Sequence, residues 1–387
     1  MIVHEYIRNS HQTFAEKPFN DIDSMVLTQV LYAKIEAQLD AKGIDRTNPG
    51  LSIRDYFYAE YFDDMFNDGI ADEENLQLYA IISASRRYRD IKIKHVAAIS
   101  DPVEELQFAA ATFEIDEQTD YVCFRGTDGS MFGWKEDLKM AFNEEIPSQA
   151  SAVRYLNKHY GEKADSPATK LILGGHSKGG NLAVYASFMA DDTVRSKLVE
   201  VHSFDGPGFK NTVIERFNEI GSACEIVQYV PQTSIVGMML ASTGERVVVK
   251  SKASGINQHA AFTWEIENDE FVKLEKTDSQ SLFFDRTISD WIMKASEDER
   301  EQFVEVLFDL VRECGVETVN DLKELPASKY MEVYKIYTKL DAENKAIVSE
   351  MFQSLFKSAV WAAFPEKLRT ENSEKLWSSD KKSKKEK

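Results

Sequence analysis

Residues 171–182 read LILGGHSKGGNL, and no other stretch restricts the chain as much. Three aliphatic residues describe a buried strand, and the glycine-flanked serine is followed at once by the small-residue helical run GGNLAVYA. Where a strand turns into a helix within about one residue, any Cβ beside the corner collides with a neighbouring element. Gly175 and Gly179 are therefore expected at close contacts, and Ser177 at a strained corner. Its hydroxyl would stand clear of the backbone at the start of a helix, whose free N–H groups and dipole favour negative charge.

The text around this corner alternates between two periods. Strands are expected near 93–99, 105–115, 119–126, 169–174, 199–204, 225–230 and 246–251, and helices near 132–143, 147–161, 179–190 and 209–219, with Pro147 suited to a first helical position. Such alternation argues for an α/β fold, a mostly parallel sheet flanked by helices, in which ligands lie beyond the carboxyl ends of the strands. Ser177 falls at such an end. Upstream, Leu27, Val30, Leu31 and Ile35 mark a helix over 20–41, with Asn20, Asp21 and Asp23 as capping residues, and LQLYAIISASRRYRD reads as a second helix.

The expected division is an N-terminal helical segment packing on the core (1–92), an α/β core built on the Ser177 corner (93–267), a C-terminal helical region (268–367) and a charged, disordered tail (368–387). Within the C-terminal region Phe303, Val306, Leu307, Leu310 and Val311 form a 3, 4, 7, 8 stripe, read as packing rather than chemistry.

Lys and Arg total 46 against 65 Asp and Glu, a net charge of −19, which argues against broad attraction to nucleic acid or an anionic membrane. The exception is the closing SSDKKSKKEK, whose five lysines read as a solvated tail. No secretory signal or bilayer-length apolar run is visible, and Cys123, Cys224 and Cys314 are too few and scattered for a disulfide framework. A cytoplasmic protein is expected. Phosphate-loop, H-E-x-x-H, paired Cys-x-x-Cys and dinucleotide-binding spacings are absent, so no metal or cofactor is expected.

The segment FRGT, followed by Trp134 and Asp137 as W-x-x-D-L and later by GHSKGG, resembles the class 3 lipases. Taken with FDGPGF, YVPQTSIVGMML and QHAAFTWEI, it resembles more closely the Mbeg1-like family of bacterial proteins related to those lipases, over about residues 15–270. The resemblance implies an α/β-hydrolase fold with Ser177 as nucleophile. It also implies an oxyanion hole made by Thr127, through its backbone or hydroxyl, and by the backbone N–H of Lys178, and a small-molecule or lipid ester as substrate.

A serine nucleophile needs a base, and in this fold the order is serine, acid, histidine. Two histidines follow Ser177: His202, inside the strand text VEVHSF, and His259, in the loop SGINQHAAF. His259 is the better base, while His176 is expected to pack beneath the corner. The acid departs from the lipase pattern, because Ser234 stands where class 3 lipases carry an aspartate. The aspartates between Ser177 and His259 are Asp191, Asp192 and Asp205, and Asp205, at the end of strand 199–204, is the expected acid. The competing reading makes Asp205 a cap for the following helix. Asp128 and Asp137 are assigned structural or substrate-positioning roles. Two functions stay open: a serine esterase, or a degenerate hydrolase fold kept for binding or scaffolding.

Overall fold

Among the described residues a nine-stranded mixed sheet runs through the molecule, its first eight strands lying side by side in chain order. They are β1 (Leu51–Ser52), β2 (Lys92–Asp101), β3 (Leu106–Glu114), β4 (Thr119–Phe124), β5 (Lys170–His176), β6 (Leu198–Phe204), β7 (Glu225–Pro231) and β8 (Glu245–Val249). After a two-strand hairpin of β9 (Ile266–Glu267) and β10 (Glu270–Phe271), β11 (Lys273–Leu274) closes the far edge beside β8. Strands β4 to β8 are mutually parallel. The pairs β1–β2, β2–β3, β3–β4 and β8–β11 are antiparallel. The computed structural model describes residues 1–67, 70–164, 166–278, 297–313, 315–318 and 321. All of them fall in the first of two compact units, Met1–Tyr334; the second, Lys335–Lys387, lies outside them and includes the expected lysine-rich tail.

Each central strand is buried on both faces, and alternate residues enter different cores. Tyr121 and Cys123 of β4 join the N-terminal helices α1 (Val3–Asn9), α2 (Asp21–Val30), α3 (Ile35–Lys42) and α5 (Asp72–Ala84), with the short α4 (Phe62–Met65) beside them. Val122 and Phe124 face α7 (Pro147–Tyr160), α8 (Lys178–Met189) and α10 (Asn211–Ile220). Two further helices, α6 (Met131–Lys139) and α9 (Asp192–Arg195), fill the connections on either side of β5 and α8.

The core elements fall close to their expected positions, and three local readings differ. The helix expected over 20–41 is two helices, α2 and α3, because Tyr32 and Ala33 tighten onto i−3 carbonyls and Lys34 N–H then turns to the Met65 carbonyl. The helix expected to run through SRRYRD stops at Ala84, where Arg87 leaves the helical path. Past residue 267 strand pairing continues through β10 and β11 before α11 (Glu297–Glu313) begins. In α11 Val304 is buried and Val306 and Leu307 are half-buried; the side chains of Phe303, Leu310 and Val311 lie outside the described residues. This helix packs against α6, and Glu305 pairs with Lys135 at 2.6 Å and Lys139 at 3.1 Å.

Arg87 shows what holds the N-terminal layer together. Its guanidinium donates to both oxygens of Asp23 at 2.7 and 2.5 Å and to the carbonyls of Gln12, Lys17 and Pro18. Tyr88 also donates to Asp23, at 2.6 Å. Both charged side chains are sealed from water, so removing one partner leaves the other charge buried and unpaired. We expect Arg87→Met to lower unfolding free energy by about 3–5 kcal/mol in urea titrations. A loss below about 1 kcal/mol would show that water reaches Asp23 in the folded variant.

Candidate active site

Ser177 sits between the last residue of β5 and the first of α8, with φ 57° and ψ −130°. That backbone region is sparsely populated for any residue with a Cβ and costs on the order of 1–3 kcal/mol. The two glycines make the corner possible. A Cβ on Gly175 would come within 2.1 Å of the Gly179 carbonyl carbon, and one on Gly179 within 2.1 Å of the Phe124 carbonyl oxygen. The serine is half-buried, and among the described residues its Oγ makes no hydrogen bond.

Asp205 follows β6 directly and is fully buried, itself at φ 49°. Its Oδ2 accepts from His259 Nδ1 at 2.6 Å, and its Oδ1 accepts from Ser234 Oγ at 2.5 Å and from the Gly237 N–H at 3.1 Å. The carboxylate's bonds thus go to the histidine loop and to the segment after β7. Helix α10 starts later, with Lys210 in its cap position and no side-chain cap bond. With the carboxylate as acceptor, His259 donates its Nδ1–H, and the neutral ring in this tautomer offers Nε2 as its acceptor. Asp191 and Asp192 lie beyond the far end of α8, both exposed.

His176 has a role that spacing alone did not reveal. Its Nε2–H donates to the His259 carbonyl at 2.8 Å, and its Nδ1 takes the Tyr32 hydroxyl at 3.0 Å. The two imidazoles lie 4.6 Å apart, centre to centre. Burial, and secondarily the neighbouring His259, push the His176 pKa down to about 3, so it is a neutral ring with both nitrogens engaged. His202 lies elsewhere, on β6 beside Glu200.

The second half of the site is Arg125-Gly126-Thr127, directly after β4. Among the described residues the backbone N–H groups of Thr127 and Lys178 have no hydrogen-bond acceptor. The Thr127 hydroxyl donates to Asp137 Oδ2. The Lys178 side chain is fully buried, its ammonium donating to Glu136 Oε2 and to the Gln107 carbonyl, both at 2.9 Å. Glu136 in turn accepts from the Ser148 N–H at 2.8 Å, which fixes the start of α7. Asp128 accepts from the Ser130 N–H and hydroxyl in the turn into α6. Burial works to raise its pKa, but these bonds and Arg125 hold it below the usual range.

Asp137 is the opposite case. Although 21% of its side chain is exposed, Oδ1 is buried and makes no hydrogen bond among the described residues, lying 3.6 Å from Lys178 Nζ. Burial pushes its pKa up to about 6, against the pull of Lys178 and Thr127.

A mixed, mostly parallel sheet with a glycine-flanked serine corner at the end of its middle strand defines an α/β-hydrolase-like protein. The chain belongs to the Mbeg1-like family, whose pattern matches residues 82–309, more than half its length. No curated protein matches it. Solved structures similar to it include a triacylglycerol lipase whose catalytic centre is described as a serine protease triad, at 17% identity and a TM-score of 0.29, covering 41% of this chain and 66% of that one, just under two thirds. Another is M37 lipase, at 14% identity and a TM-score of 0.31, covering 57% of this chain and 70% of that one. Likeness at this level bears no weight on activity.

Asp137 makes stability depend on pH in a definite direction. Its folded pKa of about 6 lies above the ordinary carboxylate value, so folding favours the protonated form. That contribution is full below about pH 4 and is lost as pH rises through about 6. Asp137→Asn cannot ionise, so we expect its stability relative to the natural protein to rise between pH 4.5 and 7.5 in urea titrations. Parallel pH profiles would place the titration elsewhere.

Proposed function

We propose that the protein is a serine hydrolase of the lipase and esterase type, cleaving a carboxylic ester of a small molecule or lipid through an acyl-enzyme. The observation that carries the reading is the bond of His259 Nδ1 to a buried Asp205 carboxylate, beside the corner that presents Ser177. Ser177 Oγ attacks the ester carbonyl and its proton passes to His259 Nε2. Asp205 holds the ring in the tautomer that leaves Nε2 free and stabilises the imidazolium that forms. The negative charge on the carbonyl oxygen falls to the backbone N–H groups of Thr127 and Lys178, which have no other acceptor among the described residues. The Thr127 hydroxyl, already donating to Asp137, then acts by placing its own backbone. His259 returns the proton to the leaving alcohol, and water, activated by the same base, releases the acid.

One observation favours the second reading, a hydrolase fold retained for binding: Ser177 Oγ makes no hydrogen bond among the described residues. Nucleophile–base contacts that are long in the free protein often tighten with substrate, so this alone does not displace the first reading. A fluorophosphonate probe separates the two, because labelling needs an activated serine and no known substrate. Labelling and hydrolysis of a short-chain nitrophenyl ester are expected in the natural protein and lost in Ser177→Ala, with the fold retained. An unlabelled natural protein would support the binding reading.

The acid can be tested at two positions. Asp205→Asn should cut kcat by about 10³–10⁴-fold, because the amide no longer enforces the tautomer. Ser234→Asp, which restores the carboxylate of the class 3 lipases, should lower activity as well. Ser234 Oγ lies 2.5 Å from Asp205, so a second carboxylate there meets a like charge in a buried site. A gain of activity in Ser234→Asp would assign the acid to position 234.

A further inference from the structure

Outside the Ser177 constellation, three potential ligand side chains converge where the start of α2 meets β6. Glu200 and His202 are two residues apart on β6 and share a face, and Asp21 opens α2 opposite them. One ligand atom from each lies within 4.8 Å of the other two. His202 Nε2 is 3.0 Å from Glu200 Oε1 and 3.9 Å from Asp21 Oδ1.

Two features distinguish this group from a solvated acidic patch. The His202 side chain is 1% exposed, yet among the described residues neither ring nitrogen makes a hydrogen bond. Glu200 Oε1 lies 3.0 Å from Nε2, a distance that suits an ion pair with a protonated ring and equally two neighbouring ligands around a cation. Second, the Asp21 carboxylate is divided. Oδ2 takes the Tyr229 hydroxyl, while Oδ1 faces His202. A hydroxyl that holds one oxygen of a carboxylate and so aims the other is a recurrent support for metal ligands.

We propose that Asp21, Glu200 and His202 bind one divalent first-row transition ion, of which Zn2+ is the representative. An imidazole nitrogen with two carboxylates suits Zn2+ or Mn2+. Bond lengths of about 2.0–2.2 Å put neighbouring ligand atoms roughly 3–3.5 Å apart; the His202–Glu200 pair is already at 3.0 Å, and Asp21, at 3.9 Å from His202, would close in by a side-chain adjustment. The two carboxylates balance the charge of the ion. Their side chains are 40% and 30% exposed, which gives an entry path and room for water in the remaining positions. An ion here would tie the start of α2 to β6, so its contribution is to stability rather than to ester chemistry.

The test uses the full chain, stripped with chelator and dialysed into chelator-free buffer. Equilibrium dialysis against Zn2+, read by elemental analysis, should find one ion per chain, and Zn2+ should raise Tm by several degrees, as expected of a ligand that binds only the folded state. Asp21→Asn, at a partly exposed position, should fold and weaken Zn2+ binding at least tenfold, and Glu200→Gln should do the same. His202→Ala should abolish binding, with folding checked by circular dichroism. Absence of both Zn2+ and Mn2+ binding would overturn the proposal and leave an ion-paired histidine. Stoichiometric binding that survives Asp21→Asn and Glu200→Gln unchanged would also overturn it, by placing the ion elsewhere.

Discussion

The handedness of strand–helix–strand connections governs most of this architecture. From β4 to β7 each parallel strand is laid beside the last in one direction, so right-handed crossovers place α7, α8 and α10 on the same face of the sheet. The other face would be bare, and it is covered by the helices of the first 84 residues. Those residues are therefore half of the core. Ser24 reaches through to the Tyr121 hydroxyl on β4 at 2.9 Å, and Tyr32 reaches His176 at the end of β5. Through that ring the N-terminal layer bears on the His259 carbonyl and so on the orientation of the histidine loop.

Charge in the site is distributed by what each carboxylate can accept. Asp205 is fully buried and has three donors, the Ser234 hydroxyl, the Gly237 N–H and His259 Nδ1, so both of its oxygens are engaged. Among the described residues Asp137 has one hydrogen-bond donor, the Thr127 hydroxyl, and burial raises its pKa. Glu136 shares the buried ammonium of Lys178. Lys178 thus divides its work: its side chain anchors the corner to α6 while its backbone N–H points out of the first turn of α8.

Much of this was legible in the residues, for identifiable reasons. Strands β4 to β7 are short apolar runs bounded by turns, and the Ser177 corner follows from steric necessity, so both could be read without a fold. The histidine and its carboxylate followed from chain order and from a shortage of candidates. What could not be read depends on long-range contacts. Leu31, Tyr32 and Ala33 suit a helix as well as their neighbours do, and they leave it because Tyr32 and Lys34 find partners far along the chain. Arg87 breaks an otherwise acceptable helix to meet Asp23, 64 residues away. Ser234 looked like a missing acid, and its real contact, a hydroxyl donated to Asp205, has no signature in spacing.

The same separations bear on how the protein acquires its site during folding. Asp205 meets Ser234, Gly237 and His259 across 29, 32 and 54 residues, from segments that follow three successive strands. None of these contacts is local: those to Ser234 and Gly237 wait for β6 and β7 to align, and the one to His259 waits for β8 as well. Until the last of them forms, a carboxylate destined for the interior keeps its water. A chain in which β8 has not yet docked therefore lacks the bond between His259 and Asp205.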